Sequence, residues 1–334
     1  MTRALISGIS GMVGSHLCDY LIAHTDWDVY GLKRWRSPLG NLQKHFGRIE
    51  RGDRVFLLDG DLRDEFSLRR AVAISRPDFV FHLAAQSFPR TSFDSPIDTL
   101  DTNILGTARL MEILRDQAPQ AQIHVCASSE VFGRVSKEEI PIKENCSFHP
   151  ASPYAISKVG TDLLGRFYAE AYGMNVQTTR MFSHTGPRRG DVFVESSFAK
   201  QLAMIERGYI VPVIKVGNLK SMRTWLDVRD VVRAYHLLLT KDPQPGAYYN
   251  IGGDYSCTVG AMLDTLIEMS PIRPQIEEDP SRLRPIDADL QIPDSTKFRE
   301  HTGWKPEIPF KQTMKDLLDY WRYHAVHKTP VLYR

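Results

Sequence analysis

The chain has little of the features that would assign it to a specialised class of protein. Its 334 residues contain only four cysteines, and 42 lysines and arginines nearly balance 40 aspartates and glutamates, which leaves a net charge of +2. No apolar run approaches the roughly 18 residues of a membrane span, and the first residues lead into a strand pattern rather than a signal peptide. These absences argue against a nucleic-acid-binding, membrane-bound or disulfide-stabilised protein. The scattered cysteines are expected to be reduced thiols in a cytoplasmic protein.

What the chain has is a regular alternation of strand and helix patterns through its first half. Strands alternating with helices predict an α/β fold, a doubly wound parallel sheet of the Rossmann type with helices on both faces. The near-continuous apolar character of the strands agrees with burial on both sides. The predicted strands are 4–6, 28–32, 54–58, 78–84, 122–127 and 176–181, and the predicted helices are 13–23, 68–74, 99–115 and 152–172.

The second half is less regular and is interrupted by proline and glycine. Its helical patterns lie at about 192–207, 228–240, 258–269 and 310–323. We therefore expect a dinucleotide-binding domain over residues 1–182, with segments near 228–253 returning to it. Residues 183–334 are expected to form mainly a smaller substrate-binding lobe.

A glycine-rich turn separates the first predicted strand from the first predicted helix. Gly8, Gly11 and Gly14 form the pattern G-x-x-G-x-x-G. Glycines there allow a positive φ and a close approach to a pyrophosphate, while the helix N-terminus supplies N–H donors. The turn therefore predicts a dinucleotide site. Its expected contacts are Gly8, Ser10, Gly11, Met12, Val13 and Gly14.

The end of the second predicted strand indicates which dinucleotide binds. An NAD site usually has an acidic residue there for the ribose 2′-hydroxyl. This segment instead has no carboxylate and three cations, Lys33, Arg34 and Arg36. Because a guanidinium suits a 2′-phosphate, we predict NADP bound by Arg34 and Arg36, with NAD as the alternative. Asp61 and Leu62 follow the third strand, where the carboxylate is expected either to accept from the adenine amino group or to cap the next helix.

Two further motifs predict proton-transfer chemistry. Tyr154 and Lys158 are spaced i, i+4 on a predicted helix and share one face. An adjacent ammonium stabilises phenolate, so we expect the pKa of Tyr154 to lie below its usual value of about 10. The tyrosine can then take a proton from a sugar hydroxyl while hydride leaves the same carbon. Ser128 and Glu130 stand where another strand leaves the sheet, the edge at which ligands bind. Ser128 is expected to bind a sugar hydroxyl, and Glu130 to be a second proton-transfer group.

These motifs resemble those of the extended short-chain dehydrogenase/reductase superfamily that modifies nucleotide sugars. Within it the chain is most similar to GDP-mannose 4,6-dehydratases and the related GDP-4-keto-6-deoxymannose reductases. The similarity spans nearly the whole chain. It is carried by the glycine turn and by residues 82–87 (HLAAQS), 128–130 (SSE), 152–158 (SPYAISK), 184–190 (HTGPRRG), 216–219 (VGNL) and 302–304 (TGW).

The resemblance implies a redox-neutral dehydration of a nucleotide-diphosphate sugar, expected to be GDP-linked. Tyr154 would take the C4 hydroxyl proton as hydride passes from C4 to NADP, and Lys158 would also bind the nicotinamide ribose. Glu130 would remove the C5 proton and protonate the departing C6 hydroxyl before the hydride returns to C6. Further implied cofactor contacts are Leu83, Ala84, Ala85, Gln86 and His184. Implied substrate contacts are Ser87, Ser128, Ser183, Arg188, Lys200, Arg223 and Arg284.

The chain departs from the dehydratase pattern in ways that leave alternatives open. Ser128 replaces the usual threonine, Ser183 replaces an asparagine expected to contact substrate, and residues 184–187 are closer to the reductase pattern. The alternatives are an NADPH-consuming 4-keto-6-deoxy sugar reductase, a 4-epimerase, and a non-catalytic NADP-binding protein. No metal site is expected, because the histidines lack ligand spacing. The resemblance also implies a homodimer, formed by helices near 99–115 and 153–171, or a homotetramer in which segment 33–43 reaches a neighbour's cofactor.

Overall fold

The computed structural model of the protein describes residues 1–283 and 288–326. The strands are β1 Arg3–Ser7, β2 Asp28–Lys33, β3 Val55–Asp59, β4 Phe79–His82, β5 Gln122–Cys126, β6 Val176–Met181, β7 His184–Thr185, β8 Val213–Val216, β9 Met222–Asp227, β10 Tyr248–Ile251, β11 Tyr255–Thr258, β12 Gln275–Glu278 and β13 Leu290–Gln291. The helices are α1 Met12–His24, α2 Phe46–Arg51, α3 Glu65–Ser75, α4 Pro89–Asp94, α5 Pro96–Leu100, α6 Gly106–Gln117, α7 Pro153–Tyr172, α8 Val194–Glu206, α9 Val228–Thr240, α10 Val259–Glu268, α11 Thr296–Thr302 and α12 Phe310–Val326.

A seven-stranded parallel sheet forms the larger part of the molecule. Its strand order is β3-β2-β1-β4-β5-β6-β10. The predicted Rossmann-type, doubly wound sheet is thus confirmed. β10 comes from the second half of the sequence and pairs with β6 at one edge, so the chain returns to the sheet after leaving it.

Apolar side chains cover both faces of the sheet. One face is packed by α1 and α9, with Leu17 and Tyr235 among the buried side chains. The other is packed by α3, α6 and α7, with Met111 and Tyr168. Trp304 is buried in the first of these cores rather than in the lobe. Burial of both faces explains why the strands read as nearly continuous apolar runs.

The smaller lobe is built from short strands and three helices. β9 pairs with β7, β11 and β13, and β8 pairs with β12. Helices α8, α10 and α12 enclose a separate core that contains Trp225 and Trp321. β7 leads directly from the main sheet into this lobe, so the lobe faces the carboxyl edge of the sheet.

The predicted helix at 99–115 is wrong in one respect, because it is not a single α-helix. Residues Asp101–Leu105 form a π-helical turn between α5 and α6. The cause is Asn103, whose side chain is buried and bonds to the chain around Gln86 and to Ser157. The extra residue in the turn directs this amide inward instead of continuing the helical spacing.

A buried ion pair joins α7 to β6. The Arg180 guanidinium donates to Asp162 through Nε at 2.7 Å and Nη2 at 3.0 Å, and both side chains are almost fully buried. The Phe132, Phe148 and Tyr248 rings lie around the guanidinium. Such a pair is costly to break, because the remaining charge has no compensation.

Asp162→Asn should therefore lower the free energy of unfolding by about 3–5 kcal/mol, measured by urea denaturation. The matched control is Glu65→Gln, which removes one charge from the exposed Glu65–Arg69 pair and should cost less than about 1 kcal/mol. Equal losses in the two variants would contradict the assigned role of the buried pair.

Candidate active site

The carboxyl ends of β1 and β4 form a crevice where the strand order reverses. In open parallel sheets this is the position at which ligands bind. Gly8 follows β1 there with φ +77°, and a Cβ on it would lie 3.0 Å from the Cα of Ala84. A Cβ on Gly14 would lie 2.4 Å from the carbonyl oxygen of Gly8. The turn therefore requires glycine at both positions.

The N-terminus of α1 opens into this crevice and suits a pyrophosphate. Gly11 is the N-cap residue, and no side chain within residues 1–283 or 288–326 caps the helix. The first N–H groups and the positive end of the helix dipole are therefore directed towards the cleft. A backbone cradle that excludes side chains, next to an uncapped helix N-terminus, fits the diphosphate of a dinucleotide.

Ser7 and His82 support the opposite wall of the crevice, and neither was among the predicted site residues. The Ser7 hydroxyl accepts hydrogen bonds from the backbone N–H groups of Leu83 at 3.0 Å and Ala84 at 3.1 Å. His82 bonds to the Ser7 hydroxyl at 2.9 Å and to that of Thr107 at 3.0 Å. Burial lowers the pKa of His82 to about 3, so its ring is neutral. The segment after β4 is thereby held against the glycine turn.

Positive charge is exposed where the second strand ends. Arg34 and Arg36 are both exposed, and the Arg36 guanidinium stacks over the Trp35 ring at 4.4 Å. Lys33 is instead paired with Asp59. Two exposed guanidinium groups beside the cleft fit a ribose phosphate.

Asp61 does not cap the following helix, because Asp64 does so by accepting from the N–H of Phe66. The Asp61 carboxylate is bound by Arg63 through the backbone N–H at 3.0 Å and the side chain at 3.2 Å. Partial burial would raise the pKa of Asp61, but the hydrogen bonds from Arg63 outweigh it and lower the pKa. Asp61 is thus an ionised acceptor near the cleft.

Ser128, Tyr154 and Lys158 form a buried group beyond β5. All three residues are more than nine-tenths buried, and Tyr154 and Lys158 are one turn apart on α7. The Ser128 hydroxyl forms a hydrogen bond with the Tyr154 phenol and accepts from the Glu130 N–H at 3.2 Å. Lys158 Nζ donates to the carbonyl of Cys126 at 2.7 Å. The Ser152 hydroxyl caps α7 through the N–H of Ala155, which sets the start of the helix and hence the position of Tyr154.

The expected lowering of the Tyr154 pKa is wrong for this arrangement. Burial raises the pKa of the phenol above its usual value, and the negative charge of Glu130 adds to the rise. The Ser128 hydrogen bond and the positive charge of Arg189 oppose it only in part. Burial also lowers the pKa of Lys158, whose ammonium is held by a backbone carbonyl. Desolvation therefore outweighs the i, i+4 spacing from which the lowering was predicted.

Glu130 lies at the edge of this group. It is partly exposed, and its charge acts on the Tyr154 phenol. The carboxylate of Glu130 therefore lies within electrostatic range of the phenol that the Ser128 hydroxyl contacts. This set can exchange two separate protons with a bound molecule.

Asn103 and Arg189 also belong to the site, and neither was among the predicted site residues. Asn103 accepts from the Gln86 N–H at 2.8 Å and donates to Ser157 at 2.8 Å, so it ties the cofactor-side loop to α7. A buried asparagine within an otherwise helical segment was the available signal. The Arg189 guanidinium stacks on Phe193 at 3.4 Å and bonds to Glu195 at 3.0 Å.

His184 is the one predicted cofactor contact in the 183–190 segment. Its Nδ1 donates to the carbonyl of Phe182 at 3.0 Å. Burial, followed by the charge of Arg189, lowers the pKa of His184 to about 4, although the Phe182 carbonyl opposes this. The imidazole is therefore neutral near pH 7.

The residues predicted to bind substrate do not all meet in one place. Arg188 pairs with Asp19 of α1 at 2.9 Å, and Lys200 pairs with Asp191 at 2.6 Å. Arg223 Nη1 donates to the carbonyl of Ala288. Ser128 lies in the buried group with Tyr154. The other three are Ser87, which is exposed, Ser183, which is half-buried before β7, and Arg284, which lies outside the described residues.

No group of three or more histidine, cysteine, aspartate or glutamate side chains in residues 1–283 and 288–326 is arranged to hold a metal ion. Among the same residues, no helix has the length and apolar character required to cross a membrane.

Comparisons with known proteins agree with this geometry. A family model described as GDP-mannose 4,6 dehydratase matches residues 5–317. GDP-6-deoxy-D-mannose reductase of Pseudomonas aeruginosa is 31% identical, over 96% of this chain and 97% of the relative. GDP-mannose 4,6 dehydratase 1 of Arabidopsis thaliana is 33% identical, over 95% of this chain and 88% of the relative. The structure of RMD from P. aeruginosa complexed with NADPH has a TM-score of 0.82 and 30% identity, and the match covers 97% of this chain and 100% of that one.

The raised pKa of Tyr154 leads to a titration prediction. Because burial disfavours the phenolate, the cofactor-free protein should show no Tyr154 ionisation below about pH 10. The measurement is the phenolate absorbance near 295 nm as pH rises, with the Tyr154→Phe variant subtracted. A difference signal with a midpoint below pH 9 would contradict the dominance of burial.

Proposed function

The chain belongs to the GDP-mannose 4,6-dehydratase family, and on that premise we propose that it is an NADP-dependent nucleotide-sugar 4,6-dehydratase. The proposed reaction converts GDP-mannose into GDP-4-keto-6-deoxymannose with loss of one water. The observation that supports this proposal is that Glu130 donates its backbone N–H to the Ser128 hydroxyl at 3.2 Å and that its charge acts on the Tyr154 phenol. A dehydratase needs a second proton-transfer group distinct from the tyrosine, and this carboxylate provides it.

The proposed roles of the pocket residues follow from their chemistry. Because burial keeps Tyr154 a neutral phenol in the cofactor-free protein, its role as a base requires that the positive charge of a bound oxidised nicotinamide favour the phenolate. Tyr154 then takes the C4 hydroxyl proton, and Ser128 donates a hydrogen bond to the same oxygen as it becomes a ketone. The ketone acidifies the C5–H bond, so Glu130 removes that proton and returns it to the C6 hydroxyl, which leaves as water. When bound, NADP supplies the redox chemistry by accepting the hydride from C4 and returning it to C6. C5 is then reprotonated by one proton, which balances the proton that Tyr154 took from the C4 hydroxyl, and the net change is the loss of one water.

The cofactor proposal depends on residues at both ends of the crevice. The glycine cradle of Gly8 and Gly14 fits the diphosphate, and Arg34 and Arg36 supply positive charge for a 2′-phosphate. Lys158 lies one turn after Tyr154 on α7, and its assigned role is to bind the nicotinamide ribose as well. A crystallised relative was solved with NADPH, which agrees with this assignment.

A second candidate is an NADPH-consuming 4-keto-6-deoxy sugar-nucleotide reductase. The observation in its favour is the 31% identity to the P. aeruginosa reductase across nearly the whole of both chains. This reaction uses Tyr154 and Lys158 in the same way but does not need Glu130 as a base. The role of the carboxylate therefore separates the two functions.

An assay with only trace NADP tests the proposal. Incubated with GDP-mannose, the protein should form a product lighter by one water, detected by mass spectrometry, in amounts far above the cofactor present. An unchanged mass in this assay, together with stoichiometric NADPH consumption when GDP-4-keto-6-deoxymannose is supplied, would establish the reductase instead. Conversion of GDP-mannose into an isomer of equal mass would indicate an epimerase.

Replacing the proposed base should abolish dehydration selectively. Glu130→Gln should lower kcat for water loss by at least about 100-fold, because a positioned proton-transfer group contributes roughly that much. NADPH binding, measured by nicotinamide fluorescence, should be unchanged. The exposed Glu138 provides the matched control, and Glu138→Gln should keep the wild-type rate. A fully active Glu130→Gln enzyme would show that another group removes the C5 proton.

We also propose that the protein is a homodimer through α7 and the elements beside it. Ile156, Leu163 and Phe167 are about half exposed and lie at i, i+7 and i+11, so they share one face of α7. Ile97 on α5 and Leu105 on the π turn are also exposed. A cluster of apolar side chains on packed helices is typical of a surface that is covered by a second copy.

The double variant Leu163→Arg, Phe167→Arg should therefore be monomeric at a concentration where the wild type is dimeric or tetrameric. Size-exclusion chromatography with light scattering gives the mass of each. The control is Val211→Arg, which changes an exposed apolar residue in the other lobe and should leave the mass unchanged. A monomeric wild-type protein would refute the proposed assembly.

A further inference from the structure

One carboxylate on α1 holds cations from two separate loops. Asp19 is mostly buried and accepts from His45 Nε2 at 2.7 Å, Lys44 Nζ at 2.9 Å and Arg188 Nη2 at 2.9 Å. Burial alone would raise the pKa of Asp19, but the hydrogen bond from His45, the charge of Arg188 and the contact with Lys44 hold that pKa well below its usual range. Asp19 is therefore ionised, and it neutralises positive charge from both loops.

Each of these loops has a second contact with the beginning of α1. The Asn41 side chain donates to the carbonyl of Ser10 in the glycine turn at 2.9 Å. The His16 ring bonds through Nε2 to the carbonyl of Pro187 at 3.1 Å. The helix that starts at the diphosphate cradle therefore contacts the 34–45 loop on one side and the 186–190 loop on the other.

The two loops carry different parts of the site. The 34–45 loop holds Arg34 and Arg36, the proposed ligands of the 2′-phosphate. The 186–190 loop holds Arg189, whose charge acts on Tyr154. Arg188 has φ +70°, which is unfavourable for a residue with a side chain, so its surroundings must hold it there. Its ion pair with Asp19 is such a restraint, and it sets the backbone from which Arg189 extends.

We propose that Asp19 is a positioning residue that couples recognition of the 2′-phosphate to the placement of the 186–190 loop, in which Arg189 is anchored on Phe193 and Glu195. The inference rests on the proposed NADP-dependent function, since it assigns the phosphate to Arg34 and Arg36. A phosphate bound there restricts the motion of the 34–45 loop. Because Asp19 is paired both with that loop and with Arg188, the motion of the 186–190 loop is restricted as well. NADP then differs from NAD in two ways: it binds more tightly, and it leaves the 186–190 loop less mobile when it is bound.

Dinucleotide binding measured by fluorescence tests the first half of the coupling. Asp19→Asn should raise the Kd for NADPH about tenfold, the effect expected for one lost charge-assisted hydrogen bond. The Kd for NADH should change less than about twofold, because NADH has no 2′-phosphate. The control is Asp26→Asn, which removes an equal charge from an exposed position just beyond α1 and should change neither value. Equal weakening of NADPH and NADH would overturn the proposal.

Hydrogen–deuterium exchange of residues 186–193 tests the second half. In the wild type, NADPH should slow exchange in this segment more than saturating NADH does. Arg188→Gln should remove that difference while leaving the Kd for NADPH within about threefold of wild type, because the 34–45 loop keeps its own contacts with Asp19. A difference that persists in both Asp19→Asn and Arg188→Gln would overturn the coupling.

These measurements also separate this inference from the proposed function. A wild-type protein that shows the coupling but does not dehydrate GDP-mannose would refute the dehydratase and retain the role of Asp19. A wild-type protein that binds neither dinucleotide would overturn both. Thermal melting of each variant identifies any loss of affinity that follows from unfolding.

Discussion

The close backbone approach at the crevice is the constraint on which the rest of the site depends. Gly8 and Gly14 let the first turn of α1 lie against β1 and against the segment after β4, at distances that no other residue allows. That contact places the positive end of the helix where a diphosphate can reach it. It also sets how far a bound dinucleotide would extend along the crevice towards Tyr154.

The pocket is organised by polar side chains that are at least partly buried and hydrogen-bonded to other segments of the chain. Ser7, His82 and Asn103 each join segments that are distant in sequence, and each is held by at least two hydrogen bonds. Such networks favour one arrangement of the loops, because a displaced partner leaves a buried group unsatisfied. The same burial keeps Tyr154 and His184 neutral before a ligand arrives.

The main features of the fold were predictable because they depend on periodicity and glycine placement. The strands that end in Ser7, Lys33 and Met181 were found to within one residue, since buried parallel strands are apolar throughout. The short strands of the smaller lobe were missed, because two to six residues carry too little pattern and their pairing partners lie far along the chain. At Asn103, tertiary hydrogen bonds interrupt the α-helix that the local spacing predicted. At Tyr154, burial raises the pKa more than the neighbouring ammonium lowers it, and the degree of burial cannot be read from residue spacing.

The side-chain partners of Arg188 and Arg189 could not be predicted from the sequence either. Arg188 and Arg189 are adjacent and chemically identical, yet the guanidinium of Arg188 pairs with Asp19 of α1 and that of Arg189 pairs with Glu195 of α8. Only the left-handed backbone at Arg188 separates their directions. A motif that contains both residues therefore identifies the segment without assigning a role to either.

The π-helical turn at Asp101–Leu105 has a consequence for how this region can change. Each residue of an α-helix turns the chain by about 100°, so one additional residue shifts the phase of α5 relative to α6. The two helices can then pack against different neighbours, with α5 against the pocket wall and α6 against the sheet. Losing one residue here would rotate everything on one side of the turn by that angle. Residues 101–105 should therefore tolerate substitutions better than insertions or deletions.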